Sequence, residues 1–120
     1  MNVEFDKFIL DSKKNNGDSW IRILGEIQEP YNEACIWVLV KDRDQSAEAL
    51  EKITPFVFEF QEKYKNFSVT VSFTIKNEGR IYETGTIESD QILNGSAQEI
   101  IESEWMLSRR DKDIFDYVKD

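Results

Sequence analysis

Apolar and polar positions alternate with two different periods along this chain, and the changes of period divide it into elements. Phe67, Val69, Val71, Phe73 and Ile75 alternate with Ser68, Thr70, Ser72 and Thr74, the pattern of a strand with one apolar face and one hydroxylated face. Ser19 to Ile27 alternates in the same way, with Ile21, Ile23 and Ile27 on one side and Trp20, Arg22, Leu24 and Glu26 on the other. Gln28 to Glu33 carries Pro30 and Asn32 and reads as a turn. Ala34 to Val40 is apolar without interruption, so both of its faces need cover and it belongs inside a sheet. Asn77-Glu78-Gly79 turns the Phe67 strand into a hairpin that returns through Arg80 to Ile87.

From Asp44 to Lys65 the period becomes helical, with Leu50, Ile53, Val57, Phe60 and Tyr64 in steps of three and four. Pro55 lacks an amide hydrogen and disfavours helix at Thr54, which predicts a kink or a restart with Thr54 as cap. Ser96-Ala97-Gln98-Glu99 has the form of a capping box and predicts a second helix running to about Ser108. Asp111 to Lys119 reads as a further short helical segment with Ile114, Phe115 and Val118 on one face. Val3, Phe5, Phe8 and Ile9 fit an edge strand or a helix turn equally. Ser46-Ala47-Glu48 and Ser96-Ala97-Gln98 stand at matching places, but three residues do not establish a duplication.

The order is thus β-β-α-β-β-α. Short connections within each strand pair favour hairpins, so the expected fold is α+β: one domain over residues 1–120, with an antiparallel sheet of four or five strands and helices mainly on one face. In that two-layer arrangement Phe67, Val69, Val71, Phe73 and Ile75 face Leu50, Ile53, Val57 and Phe60. The chain's 120 residues suffice for one core, and its aromatic content of 12% argues against disorder.

Charge changes the picture more than composition does. The formal charge of -9 is shared between the halves, with 12 acids against 7 bases in the first sixty residues and 12 against 8 in the second. A field of that sign repels phosphate backbones and anionic membranes and attracts basic proteins. Neither nucleic acid nor membrane is an expected partner. No run of about 18 apolar residues occurs, and acids at Glu4 and Asp6 stand where a secretory leader needs bases. The single cysteine, Cys35, fits a reducing compartment. The expected location is cytoplasmic, and the Asn66 and Asn94 glycosylation triplets are read as chance.

The chain contains no histidine, which removes Ser-His and Cys-His nucleophiles, histidine-ligated metals and an imidazole proton shuttle. Asp42-Arg43-Asp44-Gln45-Ser46 begins like a calcium loop, but Ala47 stands where glycine is needed and Ile53 where a bidentate glutamate should be. The glycines are too scattered for a phosphate-binding loop, and with 24 acids no pair of carboxylates is singled out for acid–base work. No enzymatic activity, cofactor or metal is expected.

The segment Ile81 to Ser108 stands out because it carries Glu83, Glu88, Asp90, Glu99, Glu102 and Glu104 with no lysine or arginine. On a helical wheel Glu99 and Glu102 share the outer face with Met106 between their directions. Carboxylates flanking an adaptable apolar side chain suit an interface, so the expected partner-binding set is Glu83, Glu88, Asp90, Glu99, Glu102 and Met106. The same wheel puts Glu104 in the apolar arc, where it needs a cation such as Arg22 or Arg80. Phe58, Trp37 and Leu39 also need cover, from a terminal segment, a partner or a homodimer contact.

Small, acidic, cofactor-free character of this kind is shared in a general way with immunity and antitoxin proteins. The functional expectation is an inhibitor of that type, occluding the active site of a basic toxin or nuclease. The alternative is a non-catalytic small-ligand or scaffolding module using the Ser/Thr-rich sheet face.

Overall fold

The computed structural model describes residues 2–15 and 17–119. Asn2 opens the first helix, α1 (Val3–Lys13), by accepting a hydrogen bond from the Phe5 amide at 3.0 Å. The N-terminal apolar residues therefore form a helix rather than an edge strand, with Phe5 and Ile9 one turn apart on its buried face. Strand β1 (Arg22–Gln28) follows, then a 3-10 turn at Glu29–Tyr31 that contains Pro30, then β2 (Glu33–Val40). Asn32 closes the turn in the left-handed region at φ 50°, a conformation that asparagine tolerates better than most residues.

Helix α2 (Arg43–Lys63) runs without a break through Pro55. The Thr54 hydroxyl donates to the Leu50 carbonyl at 2.6 Å, so Thr54 bonds back into the helix and starts no new one. Asp42 is the cap, accepting from the Gln45 amide at 2.8 Å.

The sheet departs from the antiparallel expectation at one pairing. β2 and β3 (Ser68–Asn77) are parallel, with Ala34 opposite Val69 and Val38 opposite Phe73. The reason is the connection: β2 returns through the length of α2, and a helical crossover delivers the next strand in the same direction, whereas a hairpin reverses it. The other pairings are antiparallel, namely β1 with β2, β3 with β4 (Arg80–Thr84), β3 with β5 (Ile87–Glu88), and β4 with β6 (Trp105–Leu107). The sheet is mixed, in the order β1-β2-β3-β4-β6, with β5 lying beside β3.

The return strand expected from Arg80 to Ile87 is interrupted. Thr74 stands opposite Glu83, but Thr70 stands opposite Glu88. Four steps along β3 thus match five along its partner, a one-residue bulge at Gly85 and Thr86. Side chains bridge the interruption: Phe73 N donates to Thr84 Oγ1 at 3.0 Å and Val69 N to Ser89 Oγ at 3.3 Å.

The helix expected from Ser96 to about Ser108 is shorter, α4 (Ala97–Ser103), and a short helix that the sequence reading did not include, α3 (Ser89–Leu93), precedes it. Ser96 makes no side-chain capping bond to α4; its hydroxyl instead donates to Gln91 O at 3.4 Å. α4 stops because Glu104 leaves the helical region at φ -103° and ψ 63°, while the Trp105 indole donates to the Ile101 carbonyl at 2.7 Å. The chain then joins the sheet as β6.

The first face of the sheet carries Ile23, Ile27, Ala34, Ile36, Val38, Val40, Val69, Val71 and Phe73, packed with Leu50, Ile53, Val57 and Phe60 of α2. The expected register of β3 against α2 is therefore right. α1 lies over β1, where Gly25 admits Phe5 and Ile9; a Cβ there would sit 2.5 Å from Ile9 Cδ1. Phe8 stacks on Phe56 with centroids 4.0 Å apart, which ties α1 to α2.

The second face carries Arg22, Leu24, Cys35, Trp37, Leu39, Thr70, Ser72 and Thr74 by the same registers. The C-terminal segment covers one end of it. Helix α5 (Ile114–Tyr117) buries Phe115 against Leu24 and Leu39, with Trp37 and Ile114 packed alongside. That placement answers the need for cover at Leu39 from within the chain, whereas Phe58 remains exposed.

Candidate functional site

The six residues expected to form one recognition surface fall into two groups. Glu99 and Glu102 lie three apart on α4 and are exposed, so they are neighbours on one helical face. Glu88 and Asp90 are exposed at the start of α3. These four carboxylates belong to the stretch that packs beside α2 and continues into β6. Glu88 is tied locally, since Gln91 Oε1 accepts its amide hydrogen at 2.9 Å.

Glu83 and Met106 form the second group, directly opposite each other on β4 and β6. Met106 lies on a strand, so it does not sit between Glu99 and Glu102 as the helical wheel placed it. It is 63% exposed, and its neighbour Leu107 is 56% exposed. β6 ends the sheet order, so these two apolar side chains stand on a short edge strand.

Sequence separation concealed two cations near this segment. Arg110 Nη2 lies 2.6 Å from both Glu83 carboxylate oxygens, so Glu83 is neutralised from beyond Ser108. Arg43 of α2 donates to the Glu102 carbonyl at 3.3 Å and leaves its carboxylate to Gln98, whose Nε2 donates to Glu102 Oε1 at 3.1 Å. Glu104 is exposed, and neither Arg22 nor Arg80 is its partner. The expectation of burial failed because it extended the helical wheel past Ser103. Arg22 is used elsewhere: it donates to the carbonyls of Phe115, at 2.8 Å, and Val118, and its guanidinium lies 5.6 Å from the Phe115 ring centroid.

The C-terminal segment is further fastened by charge. Lys76 of β3 lies 2.5 Å from Asp116 Oδ1 and 3.4 Å from Asp113 Oδ1. Burial works against the charge on Lys76, but the Asp116 hydrogen bond and the Asp113 carboxylate outweigh it and raise its pKa. The Lys76 hydrogen bond, helped by the Asp113 amide, lowers that of Asp116. Asp113 caps α5 by accepting from the Phe115 amide at 2.9 Å, and Asp116 accepts from the Asp113 amide at 2.9 Å. Asp113-Ile114-Phe115-Asp116 is a reciprocal cap readable in the sequence as an acid followed three residues later by another.

Cys35 has no nucleophilic setting. Burial pushes its thiol pKa up, a hydrogen bond with Thr70 opposes this, and the carboxylates of Glu33 and Glu26 add to the rise. Asp42, Gln45 and Ser46 spend their side chains on capping, through the Gln45 amide, the Lys41 amide and the Arg43 carbonyl respectively. Among the described residues no group of three or more histidine, cysteine or acidic side chains is arranged to hold a metal ion. No helix among them is long and apolar enough to cross a membrane.

What remains is an acidic margin along α3 and α4, an apolar strand edge beside it, and a second sheet face partly roofed by the C-terminal segment. No protein-family model, curated protein or solved structure matches this chain.

Proposed function

We propose that this chain is an acidic protein-binding inhibitor of the immunity or antitoxin type, which recognises a basic protein and occludes its active site. The observation that carries the reading is the pairing of exposed carboxylates Glu88, Asp90, Glu99 and Glu102 with the apolar edge residues Met106 and Leu107. Carboxylates along the margin speed encounter with a cationic surface, and an apolar centre slows departure from it. The net charge of -9 extends the same attraction over the whole molecule.

The free side of β6 supplies a second element of recognition. A three-residue edge is too short to recruit a long strand, but it can pair with a turn or strand end of the partner while Met106 and Leu107 enter pockets beside it. The Glu83–Arg110 pair lies next to Met106 and belongs to the rim of such a contact, where exposed ion pairs contribute little. A homodimer through the same edge would oppose like charges, which disfavours it.

Co-expression with the product of the neighbouring gene tests this function, because immunity proteins are usually encoded beside their toxins. The expected result is a stoichiometric complex in which the partner's activity is lost and returns as salt is raised. A basic partner that keeps full activity in the complex contradicts inhibition by occlusion.

A further inference from the structure

Between α2 and the two short helices beside it lies a pocket of about 170 Å³ that opens to solvent. Leu50 and Thr54 of α2, Ile92 of α3, Gly95 of the connecting turn and Ala97 of α4 line it. Leu50, Ile92 and Ala97 belong to the main core, so the floor is held in place from below. The Thr54 hydroxyl spends its proton on the Leu50 carbonyl at 2.6 Å, and the floor asks a ligand for shape and not for hydrogen bonds. Phe58 stands one turn beyond Thr54 on the same side of α2 and is 49% exposed, which extends the apolar strip away from the pocket.

The walls are of another kind. Glu51 and Gln98 complete the lining, and both are exposed. Asp90 on α3 and Glu99 and Glu102 on α4 are exposed carboxylates of the same stretch, whereas among the described residues no lysine or arginine lines the pocket. Arg43 sits at the far end of α4, where it donates to the Glu102 carbonyl at 3.3 Å, and Lys52 lies about 100° round α2 from Glu51. An apolar floor between acidic walls selects a ligand by two properties at once: an anionic segment is repelled, and a cationic segment without an apolar side chain leaves the floor wet.

We propose that this pocket receives an aliphatic side chain of leucine or methionine size from a segment whose flanking residues are lysine or arginine. The volume corresponds to roughly five to six waters at about 30 Å³ each, room for one such side chain. The flanking cations meet Glu51 on one wall and the carboxylates of α3 and α4 on the other, and the methylene stem of one of them lies on Phe58. An apolar anchor in a pocket ringed by polar groups is the arrangement that concentrates binding energy at interfaces. The inference rests on the reading of this chain as a binder of a basic protein and names the element of that partner that is gripped. It also brings α2, through Glu51 and Phe58, into a surface otherwise built from α3, α4 and β6.

The test is an NMR titration of the whole chain with three synthetic peptides, acetyl-KKLKK-amide, acetyl-KKSKK-amide and acetyl-EELEE-amide. The leucine peptide should give saturable shifts at the Leu50, Thr54, Gly95 and Ala97 amides and at the Phe58 ring, and should bind about tenfold or more tighter than the serine peptide. The acidic peptide should not saturate. Thr54→Leu, which fills the pocket while suiting a helix, should erase the preference for leucine over serine. Should that change disturb the fold, Glu51→Lys at an exposed position carries the test, since it should weaken both cationic peptides several-fold and keep the preference. Equal binding of the two cationic peptides, saturable binding of the acidic one, or shifts that avoid the pocket would each overturn the proposal. In a complex with a basic partner, off-rates for Thr54→Leu and on-rates for Glu51→Lys equal to the parent's would overturn it and leave the inhibitor reading standing, whereas leucine-selective peptide binding by a chain that inhibits no basic partner would do the reverse.

Discussion

Placing a methyl group at Gly25 tests how α1 meets the sheet, because the contact there leaves no room. An alanine Cβ would stand 2.5 Å from both Cδ1 and Cγ1 of Ile9 and 2.9 Å from Cζ of Phe5. Ile9 and Phe5 are themselves 7% and 1% exposed, so neither can swing into solvent without uncovering the core. Overpacking of this kind costs about 1 to 3 kcal/mol. Alanine recovers about 0.5 to 1 kcal/mol over glycine in a strand because it restricts the unfolded chain more. The net expectation for Gly25→Ala is a loss of about 1 to 2 kcal/mol. With a urea slope of about 2 kcal/mol per molar, the unfolding midpoint should fall by roughly 0.5 to 1 M. Trimming Ile9 to valine removes Cδ1 and alone should cost about 0.5 to 1.5 kcal/mol. In the Gly25→Ala background the same trim should cost nothing or restore stability, a coupling of about 1 kcal/mol between touching residues. A midpoint for Gly25→Ala equal to or above the parent's would refute this packing of α1 on β1.

The remaining predictions concern caps, charge and the covered sheet face. Asp42→Ala should destabilise the chain by about 0.5 to 2 kcal/mol through loss of the α2 cap, whereas Ser96→Ala, with no capping bond to lose, should change thermal stability little; equal losses would contradict the assignment. Glu104→Gln should unfold at the parent's denaturant midpoint, since the residue is exposed, and a large loss would mean that it is buried after all. The C-terminal anchor should depend on pH in two directions. Asp116 is depressed in the folded state, so its contribution is present above its unfolded value and disappears as pH falls through the folded one. Lys76 is raised, so its contribution is present below the ordinary lysine value and disappears as pH rises through the folded one. Amide-exchange protection at Phe115, taken relative to the intrinsic exchange rate at each pH, should therefore be greatest between these limits, and Asp116→Asn should abolish the acid limb; an unchanged acid limb would exclude the Lys76–Asp116 contact as its source.

Local periodicity carried the fold where one element filled one role. β3 alternates along most of its length, and its inward residues meet the stripe of α2 as the register argument required. β2 was legible as a central strand because both its faces are apolar. Direction was less legible, because antiparallel pairing was inferred from hairpins at β1–β2 and β3–β4 and extended across α2, where a crossover makes β2 and β3 parallel. The hydroxylated face of β3 also misleads in part, since Thr70 and Thr74 are buried there. The end of α4 was hidden for a different reason. Trp105, Met106 and Leu107 continue an apolar pattern that suits helix or strand, and no glycine or proline marks the change at Glu104. That missed boundary separated Met106 from Glu99 and Glu102 and left Glu104 in water. Long-range partners such as Arg110 for Glu83 are not legible in local charge, whereas the reciprocal Asp113 and Asp116 cap is local and has a sequence signal of two acids three residues apart.

The acidic margin is most directly tested by association kinetics between the basic partner and the Glu99→Lys, Glu102→Lys double variant over a range of salt concentrations. Both side chains are exposed on α4, so reversing them should leave the fold intact. The on-rate should drop and its salt dependence flatten, with the off-rate little changed, while Met106→Ala in parallel should chiefly raise the off-rate. Unchanged affinity and unchanged salt dependence in the double variant would contradict recognition through this margin and direct attention to the Trp37 face.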